Sequence, residues 1–549
     1  MPTTTTAFDS PDGRVWERDA DHVSVPRTPM MRPLFDDEFG PGLATTFERL
    51  GAPLARAESC HVRGWGYLRM VPAGAPDRPG GSAKPPPDLV MKVLTRVHPE
   101  LRRREKNARR AIETEVWMDD VAAWGDERPR WVQTFDAHQS LDLRSLDDGR
   151  LADELERMEI DARAMFRRHF ELVTPAAGVG LAVLAAQEHG IEGAEVAEAL
   201  RGCSAATAAP TVALRAIAAA VDRSGAGSPA DLDALRAASD EVRGLVDQYL
   251  AIYGWRSLGD DLNAPTLAET PDVLARSVRA AGEVGRAEGP TDPILDLVAR
   301  IPADDRARVE RLLRQAGAGY EMMDDNSAMA CRAIGLLRRV VLDAGRRMVE
   351  VGRLDDVDDV FLLTTQEVGA VLRGAAEPTI AEIRDRNTEF LAAHDLDAPH
   401  VLGGEPGAPP DPSVFPKGLG AITAAVSTYL GLRFPPPTER AETGRVEVGG
   451  TVVATGHGIG GGAGTGRAVV AMSADDAIER LEPGDVLVCP VTNPAYNVVF
   501  PIAAAVVTAV GGPFGHTAVT AREVGIPAVV GIGDLGVVTD GDEITVIGG

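Results

Sequence analysis

His516 stands alone among glycines and small apolar residues in "AVGGPFGHTAVTAREVGIPAVVGIGD", residues 509–534. Gly511, Gly512, Pro513 and Gly515 disfavour a helix before it, whereas "HTAVTAREV" suits one after it. Gly525 is a natural residue just beyond the helix end, and Pro527 stops any continuation. The pattern predicts His516 at a helix N-terminus, where unpaired backbone N–H groups and the helix dipole favour an anion. An imidazole there is biased toward its neutral, nucleophilic form, and the same N–H groups would stabilise a phosphoryl group placed on it. That chemistry gives His516 the part of nucleophile. Gly511, Gly512 and Thr517 then line the anion cradle, and Arg522 is a phosphate or structural partner. The competing reading is a histidine packed at a turn with both ring nitrogens satisfied.

The elements that must position this residue fall into two textures. After about residue 445, short β-branched runs alternate with Gly and Asp turns: "GRVEVGGTVVATG", "GRAVVAMS", "GDVLVCPV", "AAAVVTAV", "PAVVGIG" and "DEITVIGG". Before it, from about Pro99 to Gly374, long segments rich in Ala, Leu, Arg and Glu carry helical spacing, clearest at 151–173 and 333–354. The first hundred residues add a β region, with a strand pair around Gly64 and a further short strand at "VMKVLTRV". The proline-rich "RFPPPTER" reads as a linker. The expected fold class is α+β multidomain: a mainly helical substrate-binding body over residues 1–435, with an N-terminal β region, and a mobile β/α domain over 445–549.

Composition narrows the partners. The net charge of −26 opposes binding to nucleic acid or an anionic membrane surface. The four cysteines form no CxxC pair, so neither a zinc site nor a disulfide framework is indicated, and no metal site is expected in the chain. With no signal-peptide pattern at the start and no apolar run near spanning length, the expected location is the cytoplasm. The glycine-rich "GHGIGGGAGTGRAVV" lacks the Lys-Ser/Thr pair of a phosphate-binding loop and reads as a turn. In "RSLGDDLN", Arg256, Asp260 and Asp261 form a weaker polar group, and Arg332, Arg338 and Arg339 follow on a helix, where a solvated charge is the plain expectation.

The stretch "GGPFGHTAVTAREVGIPAVVG", with "LEPGDVLVCPVTNPAYNVVF" before it and "TDGDEITVIGG" after it, resembles the swivelling phosphohistidine domain of phosphoenolpyruvate-utilising enzymes. That family includes phosphoenolpyruvate synthase, pyruvate phosphate dikinase and rifampicin phosphotransferase. "GWGYLRMVP", "YGWRSLGDDLNAPTLAETP" and "LLRRVVLDAGRRMVEVGRLDDVDDVFLLTTQEV" resemble the drug-binding domain of rifampicin phosphotransferases. The resemblance implies that His516 carries a phosphoryl group, and that Arg256, Asp260, Asp261 and Arg332 lie at a substrate site. Its departures are Gly515 where the family has Ser or Thr, Ala509 where an acidic residue is common, and Met323 and Ser327 where cations fall. The family's ATP-binding domain has no counterpart in the sequence, so ATP and Mg²⁺ are expected only through a separate ATP-binding subunit.

Two readings remain open. In one, the chain is a phosphoryl-transfer component, passing phosphate from that subunit through His516 to a small-molecule hydroxyl. In the other, the scaffold is repurposed. His516 then serves as general base in a nucleotide-independent dehydration or cyclisation of a small hydrophobic metabolite, or the protein binds that metabolite without catalysis.

Overall fold

The structure is a computed structural model that describes all residues except 1–7, 20–24, 76–85, 228, 260, 284–291, 408, 436–441 and 493. The chain opens with β1 (Trp16–Arg18), α1 (Met31–Leu50), β2 (Leu54–Val62), β3 (Trp65–Pro72) and α2 (Asp88–Val97). Next come α3 (Pro99–Thr114), α4 (Val116–Ser140), α5 (Asp148–Glu171), α6 (Pro175–Gln187), α7 (Gly193–Ala199) and α8 (Ala205–Ser224). Then follow α9 (Leu232–Ala238), α10 (Asp240–Tyr253), α11 (Pro271–Glu283), α12 (Pro293–Ala299) and the long α13 (Ala303–Glu350). After α14 (Thr365–Leu372), α15 (Ile380–His394), β4 (Val401–Leu402) and α16 (Lys417–Arg433), the β-rich region begins. It contains β5 (Gly444–Val448), β6 (Thr451–Ile459), β7 (Ala463–Val470), α17 (Ala474–Arg480), β8 (Val486–Cys489), β9 (Ala505–Thr508), α18 (His516–Val524), β10 (Ala528–Val530) and β11 (Glu543–Ile547). The fold is α+β and multidomain, with a mostly helical body and a C-terminal β-rich domain.

Two compact units divide the chain. One takes residues 1–174, 261–263 and 336–424; the other takes 175–260, 264–335 and 425–549. The first unit holds a four-stranded antiparallel sheet, ordered β2-β3-β1-β4. Its β2–β3 hairpin turns through Arg63 (φ 52°) and Gly64 (φ 87°), the left-handed pair that a two-residue turn between twisted strands requires. The segment 90–97, read above as a strand, lies within helix α2. Its valines suggested β structure, but Leu89, Val93 and Val97 recur at helical spacing, and Met91, Lys92 and Leu94 between them are good helix formers.

In the second unit the β-rich region closes into a barrel ordered β10-β6-β5-β11-β7-β8-β9. Strands β7, β8, β9 and β10 pair in parallel, and β8, β9 and β10 are buried on both faces, which is why their sequences read as unbroken apolar runs. The period of two sorts their side chains: Val486 and Val488 fill the barrel, whereas Leu487 and Cys489 face outward. That outer layer forms one apolar cluster with Ala518 and Ala521 of α18, Leu214 and Ile217 of α8, Val246 of α10 and Leu274 of α11. By length and composition, 148–187 and α8 are the described helical stretches able to cross a membrane. In the first, 61% of the most apolar window is buried inside the protein, and α8 gives apolar residues to the barrel-side cluster. Of the glycine-rich stretch read as a turn, Gly460, Gly461 and Gly462 form one at positive φ between β6 and β7, and the rest belongs to those two strands. Part of the presumed linker, 436–440, falls outside the described residues; its first part, through Arg433, closes α16.

Candidate functional site

Helix α18 begins at His516, with Gly515 as N-cap (φ −70°, ψ 158°) and Gly525 (φ 85°) at its end, as the glycine pattern requires. Gly515 has no side chain to cap the helix, so the hydroxyls around the histidine come from elsewhere. Thr492, on the loop after β8, places its Oγ1 2.9 Å from His516 Nδ1 and 2.7 Å from Thr517 Oγ1. This chain closes when Nδ1–H donates to Thr492, which in turn donates to Thr517, a tautomer assigned from the network. Nε2 then keeps its lone pair. The nearest hydroxyl on that side, Thr520 Oγ1, is 3.4 Å away and donates to Asn497 Oδ1. The Phe500 ring meets the imidazole edge-on at 6.1 Å. Burial and, secondarily, the Arg433 cation push the His516 pKa down to about 3, so the ring is neutral throughout the physiological range.

Sequence reading missed Arg433. It closes α16 just before a proline run and so looked like linker, yet its guanidinium lies in the electrostatic field of His516. Its Nη1 donates to Tyr429 Oη at 2.9 Å, one turn back on the same helix. Tyr320 of α13 stacks on Phe514 at 5.9 Å, and Tyr429 meets the same ring at 6.3 Å. One turn along α13 from Tyr320, Asp324 accepts the Thr207 hydroxyl at 2.6 Å, and burial raises its pKa. The signal that could have pointed to Arg433 is its placement at a helix end with a tyrosine four residues earlier.

The other expected site residues are placed as follows. Thr517 is buried and joined to the histidine through Thr492. Gly511 has φ 125°, a backbone state that favours glycine. The Gly512 N–H donates to Arg433 O at 3.1 Å, and a Cβ on Gly512 would collide with Leu432 O, so this glycine serves a close chain crossing. Arg522 is buried and donates to Pro513 O at 2.7 Å and to Glu198 at 3.1 Å, which ties the glycine loop down from the far side of α18. Arg256 lies over the Tyr253 ring at 4.7 Å, and burial lowers its pKa. Arg332 is buried on α13. Both belong to the unit that contains His516, whereas Asp261 belongs to the other. There the Asp261 carboxylate accepts the Thr28 N–H at 2.6 Å and the Thr28 hydroxyl at 2.5 Å, just ahead of α1. Asp260 lies outside the described residues. Arg338 and Arg339, expected as solvated charges, instead bind backbone carbonyls: Arg338 those of Leu262 and Asn263, Arg339 those of His138 and Leu141. They are cross-links, since carbonyls at chain reversals need donors.

A small cleft is lined by Ala197, Leu200, Tyr320, Phe514, Val519 and Arg522 among others, but His516 is not among its walls. Among the described residues, no group of three His, Cys, Asp or Glu side chains is placed to hold a metal ion. The glycine-rich loop connects β6 to β7, two strands that do not pair with each other. What the arrangement offers chemically is a neutral imidazole with one nitrogen held and the other available, with a half-buried arginine nearby.

Residues 481–549 match the PEP-utilising enzyme mobile domain. An uncharacterised protein of Mycobacterium tuberculosis is 30% identical over 300 residues, 54% of this chain and 30% of its own length. A Streptomyces rifampicin phosphotransferase is 30% identical over 311 residues, covering 53% of this chain and 32% of its own. Escherichia coli phosphoenolpyruvate synthase is 43% identical over 98 residues, 18% of this chain and 12% of its own. The matches thus span under a third of the length of these relatives. His516 lies inside the segment that matches the PEP-utilising enzyme mobile domain, and parts of the chain are similar to rifampicin phosphotransferases and phosphoenolpyruvate synthases.

Proposed function

We propose that the protein is a phosphoryl-transfer component. His516 accepts a phosphoryl group from a nucleoside triphosphate held by a separate ATP-binding subunit and passes it to a hydroxyl of a small, largely apolar molecule. The observation that carries this reading is the neutral imidazole, tied through Nδ1 to Thr492 and left with an available Nε2. The Nε2 lone pair forms a bond to phosphorus as the P–O bond to the leaving phosphate oxygen breaks, and that oxygen keeps the electron pair. In the second step the acceptor oxygen bonds to phosphorus and the P–N bond breaks. Its electrons return to Nε2, and the hydroxyl proton passes to solvent or a base. Mg²⁺ belongs with the nucleotide on the subunit that binds it.

The same observation weighs against the general-base alternative. A general base works best with a pKa near the operating pH, and a ring held near 3 takes up a proton poorly at neutrality. The test is to incubate the protein with ATP labelled at both β and γ positions, Mg²⁺ and an extract of the source organism as supply of the ATP-binding subunit. Acid-labile label on the wild type and none on His516→Ala is the expected result. A wild type that stays unlabelled, or turnover that needs His516 but no nucleotide, overturns the proposal.

A further inference from the structure

We infer that Arg433, held by Tyr429, is the cation that receives the phosphoryl group carried by His516. This rests on the phosphoryl-carrier reading and extends it to the group that neutralises the charge.

The backbone sets the placement. Leu432 and Arg433 run directly against the loop leading into His516. Arg433 O accepts the Gly512 N–H at 3.1 Å, and Leu432 O accepts the Phe514 N–H at 3.2 Å. A Cβ on Gly515, the residue before the histidine, would lie 3.3 Å from Arg433 O. Arg433 is therefore fixed to the histidine's own loop by two main-chain bonds, and its side chain leaves the backbone at that point.

Tyr429 Oη takes one of the five guanidinium donors, and among the described residues no carboxylate lies within ion-pair distance of Arg433. Asp324, the acid whose field it feels, is turned to the Thr207 hydroxyl. A half-buried cation without a counter-charge on it gains from an anion that reaches it. The Tyr320 hydroxyl is a second, independent sign. It is buried, its residue is 7% exposed, and among the described residues it has no hydrogen-bond partner. Its ring stacks on Phe514, two residues before His516. A phosphoryl group on Nε2 supplies acceptor oxygens and negative charge to both. The downward pull of Arg433 on the imidazole pKa agrees with this proximity. The cations expected from positions 323 and 327 of α13 are thus replaced by one from the end of α16.

The test uses phosphoramidate, which phosphorylates histidine without a protein partner. His516 modification is followed by ³¹P NMR and mass spectrometry, and the lifetime of the phosphohistidine is measured after the reagent is removed. Arg433→Met should slow formation and shorten the lifetime, together by about tenfold or more. Arg433→Lys, which keeps the charge, should recover much of the loss, as a purely structural role would not. Tyr429→Phe and Tyr320→Phe should each show smaller losses, and they carry the test if Arg433→Met does not fold. Wild-type rates and lifetimes in Arg433→Met and Tyr429→Phe overturn the inference and leave the carrier reading standing. A wild type in which phosphoramidate leaves His516 unmodified overturns both.

Discussion

His516 and His138 are two histidines packed away from solvent in different units of the molecule, and their surroundings drive them in opposite directions. His138, at the end of α4, has Nδ1 2.6 Å from Glu154 and Nε2 2.9 Å from Asp161. The Glu154 hydrogen bond, helped by Asp161, raises its pKa and favours the cation. His516 has only hydroxyls on its ring nitrogens and a guanidinium nearby, so it is held neutral. An imidazole between two carboxylates has no lone pair left for chemistry and acts as a structural clamp. An imidazole beside hydroxyls and a cation stays neutral and keeps a lone pair on one nitrogen, as the proposed carrier role requires. The difference lies in the charge of the partners, since burial works in the same direction on both.

Three changes would break or sharpen this contrast. The largest effect is expected from His516→Asn, which keeps a polar group at the helix start but removes the nucleophile. Phosphoryl uptake measured with label or by mass should fall by roughly 10³-fold or more. His138→Asn should leave uptake nearly unchanged in whatever fraction of protein is folded.

Next is Glu154→Gln, expected to lower stability to urea by about 1–3 kcal/mol near pH 6. Because His138 has a raised pKa, its contribution is fully present below the unfolded value near 6.5 and is lost as pH rises through the folded value. The penalty of Glu154→Gln should therefore shrink in alkaline solution. His516 behaves in reverse. Its contribution is fully present above 6.5 and is lost as pH falls from there toward about 3, since the unfolded chain takes up the proton first. Urea titrations of His516→Gln should lack that acid-side slope, and NMR titration should place the two wild-type midpoints on opposite sides of 6.5.

The smallest effect is expected from Thr492→Val, at about 1 kcal/mol of stability from the lost hydroxyl chain. It frees the proton on Nδ1 to move to Nε2, so ¹⁵N chemical shifts of His516 should show a mixture of tautomers. A single unchanged tautomer would mean that Thr492 does not orient the ring.

How much of this was legible depended on sequence separation. Helix α18 and its glycine boundaries could be read residue by residue, because turn and cap chemistry is local. The β-runs of the barrel were legible for the same reason, since parallel strands buried on both faces show as continuous apolar stretches. The partners of His516 were not. Thr492 lies 24 residues away and Arg433 before a proline run, and no periodicity links either to the histidine. His138 was invisible likewise, its two carboxylates being 16 and 23 residues distant on α5. Asp261 was expected at a substrate site through the family resemblance. Its engagement by Thr28, 233 residues earlier, could only come from the folded chain. The strand expected at 90–97 failed because β-branched valines outweighed helical spacing in a short window.

The close crossing at Gly512 has a consequence for anyone cutting this protein apart. By its hydrogen-bonded strands the barrel starts at Gly444, and that would be the obvious place to begin a recombinant fragment. Such a fragment discards the short strip from Leu432 to Pro435 that lies on the Gly512 surface. It would expose the backbone donors of Gly512 and Phe514 to water and would leave Arg433 behind. The smallest piece that retains the histidine's electrostatic setting begins at or before Tyr429, so the functional edge of the module and the edge of its sheet are different places in the chain.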